Sequence, residues 1–187
     1  MTRTASHITN PQRSNGGCFP WIVTFLLVIT MTHPLPAEAS TTQPLFVIER
    51  SKNANILHYD AKLTPGGKLD PREPVVVYWI MRAERGQRED LTWLEKKKAY
   101  GFGIEPMKDR NGFRMVLKPV PERPLRIFQD GGEARAETTI GGRNGRLDKL
   151  YIKSDETKLV PSVLYIELFG RDAVTGELLH EKIVPRN

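Results

Sequence analysis

Cysteine is almost absent from this chain of 187 residues, in which Cys18 is the single example. Cys18 lies before an apolar run and not after it, so it does not occupy the position at which an exported lipoprotein is lipidated. Residues 40–187 can therefore form no disulfide and contain neither a thiol nucleophile nor a cysteine metal ligand. A domain of this kind must be stabilised by its apolar core alone.

Histidine is scarce as well, and only His58 and His180 follow residue 39. Zinc sites usually need three or four nitrogen or sulfur ligands, so the sequence predicts no metal site. No serine lies in a G-x-S-x-G motif, and Ser51 and Lys52 are adjacent, so that in a strand they would point to opposite faces. The sequence therefore predicts no catalytic residue. Carboxylate pairs converge in space and leave no spacing to find, so an enzyme remains an open alternative.

Motifs that bind phosphate are missing too. Neither G-x-x-x-x-G-K-[ST] nor a G-x-G-x-x-G that opens a helix is present, so we predict no nucleotide cofactor and no other cofactor. The glycines of the stretch GGEARAETTIGGRNGR are typical of strand ends and hairpin turns.

Long apolar runs are also lacking, and Trp21–Met31 is too short for the roughly 20 residues that span a bilayer. Arg3 and Arg13 precede this run, and Ala-Glu-Ala at 37–39 fits the pattern cut by signal peptidase. We therefore predict a signal peptide cleaved after Ala39, an exported protein that is periplasmic or secreted, and no membrane span in the mature chain. An uncleaved N-terminal anchor is the alternative.

Residues 40–187 are long enough for one domain with a substantial core. Short apolar runs with a period of two, separated by Gly, Pro, Asn and Asp, predict many strands. Val75–Met81 (VVVYWIM) is a continuous apolar run, so the side chains on both faces of such a strand are apolar. This predicts a central strand covered on both faces. We expect an all-β, mainly antiparallel fold, either a β-sandwich or, as the alternative, a small barrel, with one short α-helix.

The helix is predicted at Leu91 to Tyr100, with Asp90 as its N-cap and Gly101 directly after its end. Two hairpin loops are predicted further along the chain. One is Asn144-Gly145, and the other is Gly170–Gly176, in which Asp172 would accept hydrogen bonds from amides ahead of it and Gly176 would take a positive φ.

The stretch FVIERSKNANILHYD, Phe46 to Asp60, is predicted as a hairpin with a five-residue loop, Ser51–Asn55, whose asparagines take the left-handed conformation. Loops carry binding groups on a fixed scaffold, so we predict a ligand site beside it. Its polar groups are Arg50, Asn53, Asn55 and His58, and either Tyr78 or Trp79 supplies an aromatic wall. The alternative is that the asparagine side chains only bond their own backbone.

Basic residues concentrate between Arg82 and Lys98, with aromatic residues among them, in a chain of formal net charge +6. Such a segment can bind nucleic acid, but an exported domain seldom meets any, so we predict no nucleic-acid partner. Anionic polysaccharide or lipid headgroups fit the predicted compartment better. Acidic residues mixed into the segment favour a plain solvated surface.

Four segments carry a resemblance to a known family: FVIERSKNANILHYD, PVVVYWIM, KKKAYGFGIEP and YIELFGRDAVTGELLHEKIVP. Together they resemble a bacterial family known as domain of unknown function 4833, over Leu45 to Pro185. The resemblance implies an exported protein with a single domain, and it implies no activity and no site residue.

These observations leave three hypotheses for function. The first is a non-enzymatic exported binding or structural module of the bacterial cell envelope, with a polysaccharide, lipid or protein partner. The second is an envelope enzyme whose carboxylate and histidine site is assembled in space. The third is a binder of anionic polysaccharide or lipid headgroups.

Overall fold

A computed structural model of the protein describes residues 41–108, 112–155, 157 and 162–185. The predicted signal peptide, residues 1–39, and Cys18 lie outside the described residues. Ala37–Asn187 forms one compact unit of the chain. The core built by the described residues lies in this unit, from Leu45 onward, so the unit has a core of its own. Among the described residues, no helix has the length and apolar character needed to cross a membrane.

Within the described residues, eleven strands form one sheet, with a single turn of 3-10 helix at Arg82–Glu84 and one short α-helix. The elements are β1 Thr41–Arg50, β2 Asn53–Leu63, β3 Val75–Met81, β4 Gln87–Asp90, α1 Trp93–Lys98, β5 Phe102–Pro106, β6 Gly112–Leu117, β7 Leu125–Asp130, β8 Glu133–Ile140, β9 Arg143–Asp155, β10 Ser162–Asp172 and β11 Leu178–Ile183.

The strands follow the order β4-β3-β2-β1-β9-β8-β7-β6-β5, and β10 joins β9 while β11 joins β10. All described pairs are antiparallel except β1 with β9, which run parallel over Val47–Arg50 and Lys149–Ile152. The mainly antiparallel β class with one short helix is confirmed. The single mixed sheet curls into a half-barrel, and a β-sandwich is not confirmed.

Alternation along the strands builds the core. In β1, Phe46 and Ile48 are buried while Val47 between them is half-buried, because successive strand residues point to opposite faces. In β2, Leu57 and Tyr59 have no exposed surface, and the Tyr59 ring stacks on Phe46 with 4.6 Å between ring centroids. Burial of each such side chain contributes about 2 kcal/mol. We call this buried side of the sheet the inner face and the opposite side the outer face.

Strand β3 has the predicted bounds but not the predicted burial. Val75 and Trp79 are buried on the inner face, whereas Val76, Tyr78 and Ile80 are half-exposed. The prediction of a strand covered on both faces is therefore wrong. The outer side chains of β3 are aromatic and branched, so the composition of the strand did not indicate that this face is exposed to solvent.

Helix α1 begins two residues later than predicted. Its N-cap is Thr92, whose hydroxyl accepts a hydrogen bond from the Glu95 amide while the Glu95 carboxylate accepts one from the Thr92 amide. The prediction of Asp90 as the N-cap is wrong. Gly101 does follow the helix, and it is needed there because a Cβ would lie 1.9 Å from the Lys96 carbonyl oxygen.

One hairpin prediction is confirmed and the other is displaced. In the β10–β11 loop, Asp172 Oδ1 accepts hydrogen bonds from the amides of Val174 and Thr175 at 2.9 and 2.8 Å, and Gly176 has a φ of 74°. The β8–β9 turn is Gly141-Gly142, with φ values of 58° and 80°, and not Asn144-Gly145, which lies within β9.

Candidate functional site

The predicted site hairpin joins β1 to β2, but its loop is only Ser51-Lys52. Arg50 pairs with Asn53, so both asparagines lie in β2. Arg85 is the one non-glycine residue with a positive φ in the described part of the chain, so neither asparagine is left-handed. The five-residue loop and the left-handed asparagines are wrong predictions.

Both asparagine side chains bond the chain's own groups. Asn53 Oδ1 accepts from the Asn55 amide at 3.2 Å. Asn55 is buried, and its Oδ1 accepts from the Ala83 amide at 3.1 Å while its Nδ2 contacts Met81 Sδ at 3.4 Å. These contacts fasten the hairpin to the segment after β3, which supports the alternative of a structural role for the two asparagines.

Arg50 and Trp79 meet on the inner face. The Arg50 guanidinium lies 4.3 Å from the centroid of the Trp79 ring and donates to the Tyr100 hydroxyl at 3.2 Å. Trp79 Nε1 donates to Glu95 Oε1 at 3.2 Å, and its ring meets the Tyr100 ring edge-on at 5.3 Å. This cluster attaches α1 to the sheet.

His58 and Tyr78 meet on the outer face instead, with their rings stacked at 5.4 Å. Arg88 lies 3.6 Å from the centroid of the Tyr78 ring. The Tyr78 hydroxyl donates to Asp60 Oδ2 at 2.6 Å. Asp60 is buried, and its Oδ1 has no hydrogen-bond partner among the described residues.

The six predicted residues are thus divided between two faces and do not form one site. Either Tyr78 or Trp79 was predicted to supply the aromatic wall. The two are adjacent in β3 and so point in opposite directions, and Tyr78 is the one that lies beside His58. Only His58 and Tyr78 face solvent on the outer side.

Two side chains that meet on the outer face, His58 and Tyr78, have shifted pKa values. Burial lowers the pKa of His58 below its usual 6.5, against the opposing charge of Asp60 and with help from Arg82 and Arg88. Burial, and then the hydrogen bond to Asp60, raises the pKa of Tyr78 to about 12. At neutral pH the His58 ring is therefore neutral and the Tyr78 phenol is protonated.

The lowered pKa of His58 predicts a loss of stability in mild acid. The unfolded chain binds a proton near pH 6.5 and the folded chain only at lower pH, so stability is full above 6.5 and falls as the pH falls through the folded pKa. Replacement of His58 by Gln should make the free energy of unfolding less dependent on pH in this window, as measured by urea unfolding. Equal pH slopes for both proteins would contradict this.

His58 and Tyr78 belong to a line of residues that crosses seven strands of the sheet. Each residue of the line is directly opposite the next one on the neighbouring strand. The line contains, from β4 to β11, Asp90, Tyr78, His58, Val47, Lys149, Phe169 and His180. At about 4.8 Å between strands it is roughly 29 Å long.

Aromatic rings and charged groups alternate beside this line on β9, β10 and β11. His180 stacks on Phe169 at 4.7 Å, and Lys149 Nζ lies 4.9 Å from the Phe169 ring centroid. Lys182 Nζ lies 3.7 Å from the ring of Tyr165, which is 6.4 Å from Tyr151. We call the outer-face residues His58, Tyr78, Tyr151, Tyr165, Phe169 and His180 the aromatic face.

Charge on the aromatic face is balanced. Lys149 pairs with Glu49 at 3.0 Å, and His180 Nε2 lies 3.3 Å from Glu167 Oε1. Donors and acceptors thus lie side by side between the rings. Such a surface is suited to a ligand with many hydroxyl groups and an apolar ring face.

Sequence analysis missed most of this surface. A signal was present in β9 and β10, where Tyr151 and Phe169 each lie between two buried residues and Lys149 and Tyr165 each precede one. Those positions were used only to locate strands. Nothing local indicates that β9 lies beside β1, which is what places these rings in line with His58.

Where the outer face is formed by β7, β8 and the start of β9, it carries a group of ion pairs around Glu137. This carboxylate is buried and accepts from Arg126 Nη2 at 2.6 Å and from Asn144 Nδ2 at 3.1 Å. A shallow cavity of about 420 Å³ lies beside it. Because Glu137 is bonded within the chain, we assign it a structural role. The described residues contain no group of three His, Cys, Asp or Glu side chains able to hold a metal ion.

Comparison with other proteins places the chain in a family. Neither a curated protein nor a solved structure matches it. A family model described as domain of unknown function (DUF4833) matches residues 46–182, which cover β2 to β10 in full, half of β1 and most of β11. The chain therefore belongs to the DUF4833 family.

Proposed function

We propose that this protein is an exported, non-enzymatic binding module of the bacterial cell envelope, and that it binds envelope polysaccharide through the aromatic face. One observation carries the proposal. Four aromatic rings, those of Tyr78, Tyr151, Tyr165 and Phe169, lie half-exposed on one face of one sheet. Export is supported by the signal-like segment before residue 40.

The chemistry of the aromatic face matches that of a sugar chain. Aromatic rings offer flat apolar surfaces, and the lysines and glutamates between them can hydrogen-bond hydroxyl groups. A line of roughly 29 Å accommodates several sugar units of an extended chain. The sheet also fixes the rings in advance, which reduces the entropy lost on binding.

The enzyme hypothesis gains less support. His58 and Asp60 share the outer face, but Asp60 accepts its hydrogen bond from Tyr78. The His58 ring is stacked on the Tyr78 ring, so Tyr78 occupies the place where a substrate would have to approach. The three side chains form a packed unit that we assign to holding the Tyr78 ring in position.

Loss of rings from the aromatic face should weaken binding to polysaccharide. We expect Tyr165→Ala and Phe169→Ala each to reduce retention on insoluble peptidoglycan about tenfold, because a few aromatic residues usually carry most of the binding energy. Since charge on this face is balanced, retention should depend only weakly on salt. A pull-down over a range of protein concentrations measures both effects.

Trp93→Ala is the matched control, since it removes an exposed aromatic side chain that lies on α1 and outside this face. It should be retained like the unmodified protein. Thermal unfolding of each variant reports whether the fold is kept. Failure of the unmodified protein to bind peptidoglycan, or equal retention of all variants, would overturn the proposal.

A further inference from the structure

Helix α1 carries two large apolar side chains in open solvent. Trp93 is 70% exposed and Leu94 is 58% exposed, and no residue of the helix is buried. Single apolar residues on a surface are ordinary, but an adjacent pair that includes tryptophan is a feature of interaction surfaces.

Helical geometry puts this pair on the same side as two lysines. Trp93 and Lys97 are four residues apart, as are Leu94 and Lys98, so each apolar side chain has a lysine one turn behind it. The Lys97 ammonium lies 4.6 Å from the centroid of the Trp93 ring. We call Trp93, Leu94, Lys97 and Lys98 the helix face.

The fold holds the helix face outward. Glu95, on the other side of α1, accepts from the Trp79 indole on the sheet and from the Thr92 amide in the capping box. At the other end of α1, Gly101 packs directly against the carbonyl of Lys96. With both ends fixed, the exposure of Trp93 and Leu94 results from the fold and not from a frayed helix.

We propose that the helix face docks the domain onto a bilayer surface that contains anionic phospholipid. Trp93 and Leu94 would enter the headgroup region, where tryptophan is favoured. Lys97 and Lys98 would lie against lipid phosphates, whose charge they complement. Helix α1 itself has three lysines and one glutamate, so its net positive charge adds to this attraction. This surface is separate from the aromatic face, so the two bind independently.

Vesicle binding tests the proposal. The chain from Ser40 onward contains every core residue that the structure describes. It lacks the apolar run Trp21–Met31, which therefore cannot cause binding. We expect it to sediment with vesicles of phosphatidylglycerol mixed with phosphatidylcholine and not with phosphatidylcholine alone. Added salt should release it, because the lysine contribution is screened.

Variants assign the binding to the helix face. Lys97→Gln with Lys98→Gln should weaken it about thirtyfold, and Trp93→Ala about tenfold. Val174→Ser is the matched control, since Val174 is 93% exposed in the β10–β11 loop, and it should bind normally. Absence of binding to the anionic vesicles, or equal binding by the Trp93→Ala and control variants, would overturn the proposal. Peptidoglycan retention of the same variants should be unchanged.

Discussion

Gly101→Ala is expected to destabilise the domain by about 3 kcal/mol, the upper end of the usual cost of overpacking. The added Cβ would lie 1.9 Å from the Lys96 carbonyl oxygen and 2.9 Å from its carbon, both of which are backbone atoms. Neither can move without displacing the end of α1. The midpoint of urea unfolding should fall accordingly.

Gly103→Ala is the control, in the same G-F-G sequence two residues further on. An added Cβ there meets nothing within 4 Å, and the residue lies within β5. Alanine should leave stability unchanged or raise it slightly, because it lowers the entropy of the unfolded chain. If the two variants unfolded at the same urea concentration, the close contact at Gly101 would be disproved.

Tyr78→Phe is expected to cost about 3 kcal/mol, although it removes a single oxygen atom. Asp60 Oδ2 would lose the hydroxyl that donates to it at 2.6 Å, and Asp60 Oδ1 already has no partner among the described residues. A buried carboxylate left without donors is more costly than the lost hydrogen bond itself. Urea unfolding at neutral pH measures the change.

A second substitution separates this cause from a loss of packing. With Asp60→Leu added, the buried acceptor is gone, so the double variant should be more stable than Tyr78→Phe alone. Tyr165→Phe serves as the control, because Tyr165 is also half-exposed but its hydroxyl donates to no buried carboxylate among the described residues. A Tyr78→Phe protein within a few tenths of a kcal/mol of the unmodified one would contradict the argument.

Local patterns predicted the elements well because they depend on neighbours in sequence. A continuous apolar run located β3, and the Asp172 loop was found from residues that bond each other. The N-cap at Thr92 was missed although its signal, a threonine three residues before Glu95, was present. The β8–β9 turn was misplaced because Gly145 looked like a turn residue, whereas it is small to avoid Leu179, which an added Cβ would meet at 2.9 Å.

The candidate site was predicted less well because it depends on distant residues. His58 and Tyr78, which were named together, lie in contact, since β2 and β3 are neighbours in sequence and in the sheet. Trp79 was named as an alternative to Tyr78, and the alternation of faces along β3 places it on the inner face, away from His58. Phe169 and Tyr151 could not have been named, since their place beside His58 is set by the pairing of β1 with β9.

That parallel pairing also determines when the domain can complete its fold. Glu49 and Lys149, which form an ion pair across it, are 100 residues apart in the chain. Bringing β1 and β9 together closes a long loop of chain, and the entropy of that chain is lost before the contacts between the strands can stabilise it. Folds rich in such contacts therefore form slowly. During synthesis or export, β1 emerges early and can pair with β2, but its other edge stays open until β9 has arrived. For that interval the chain has an exposed strand edge to which another chain can add, so rapid shielding of β1 would benefit the yield of folded protein.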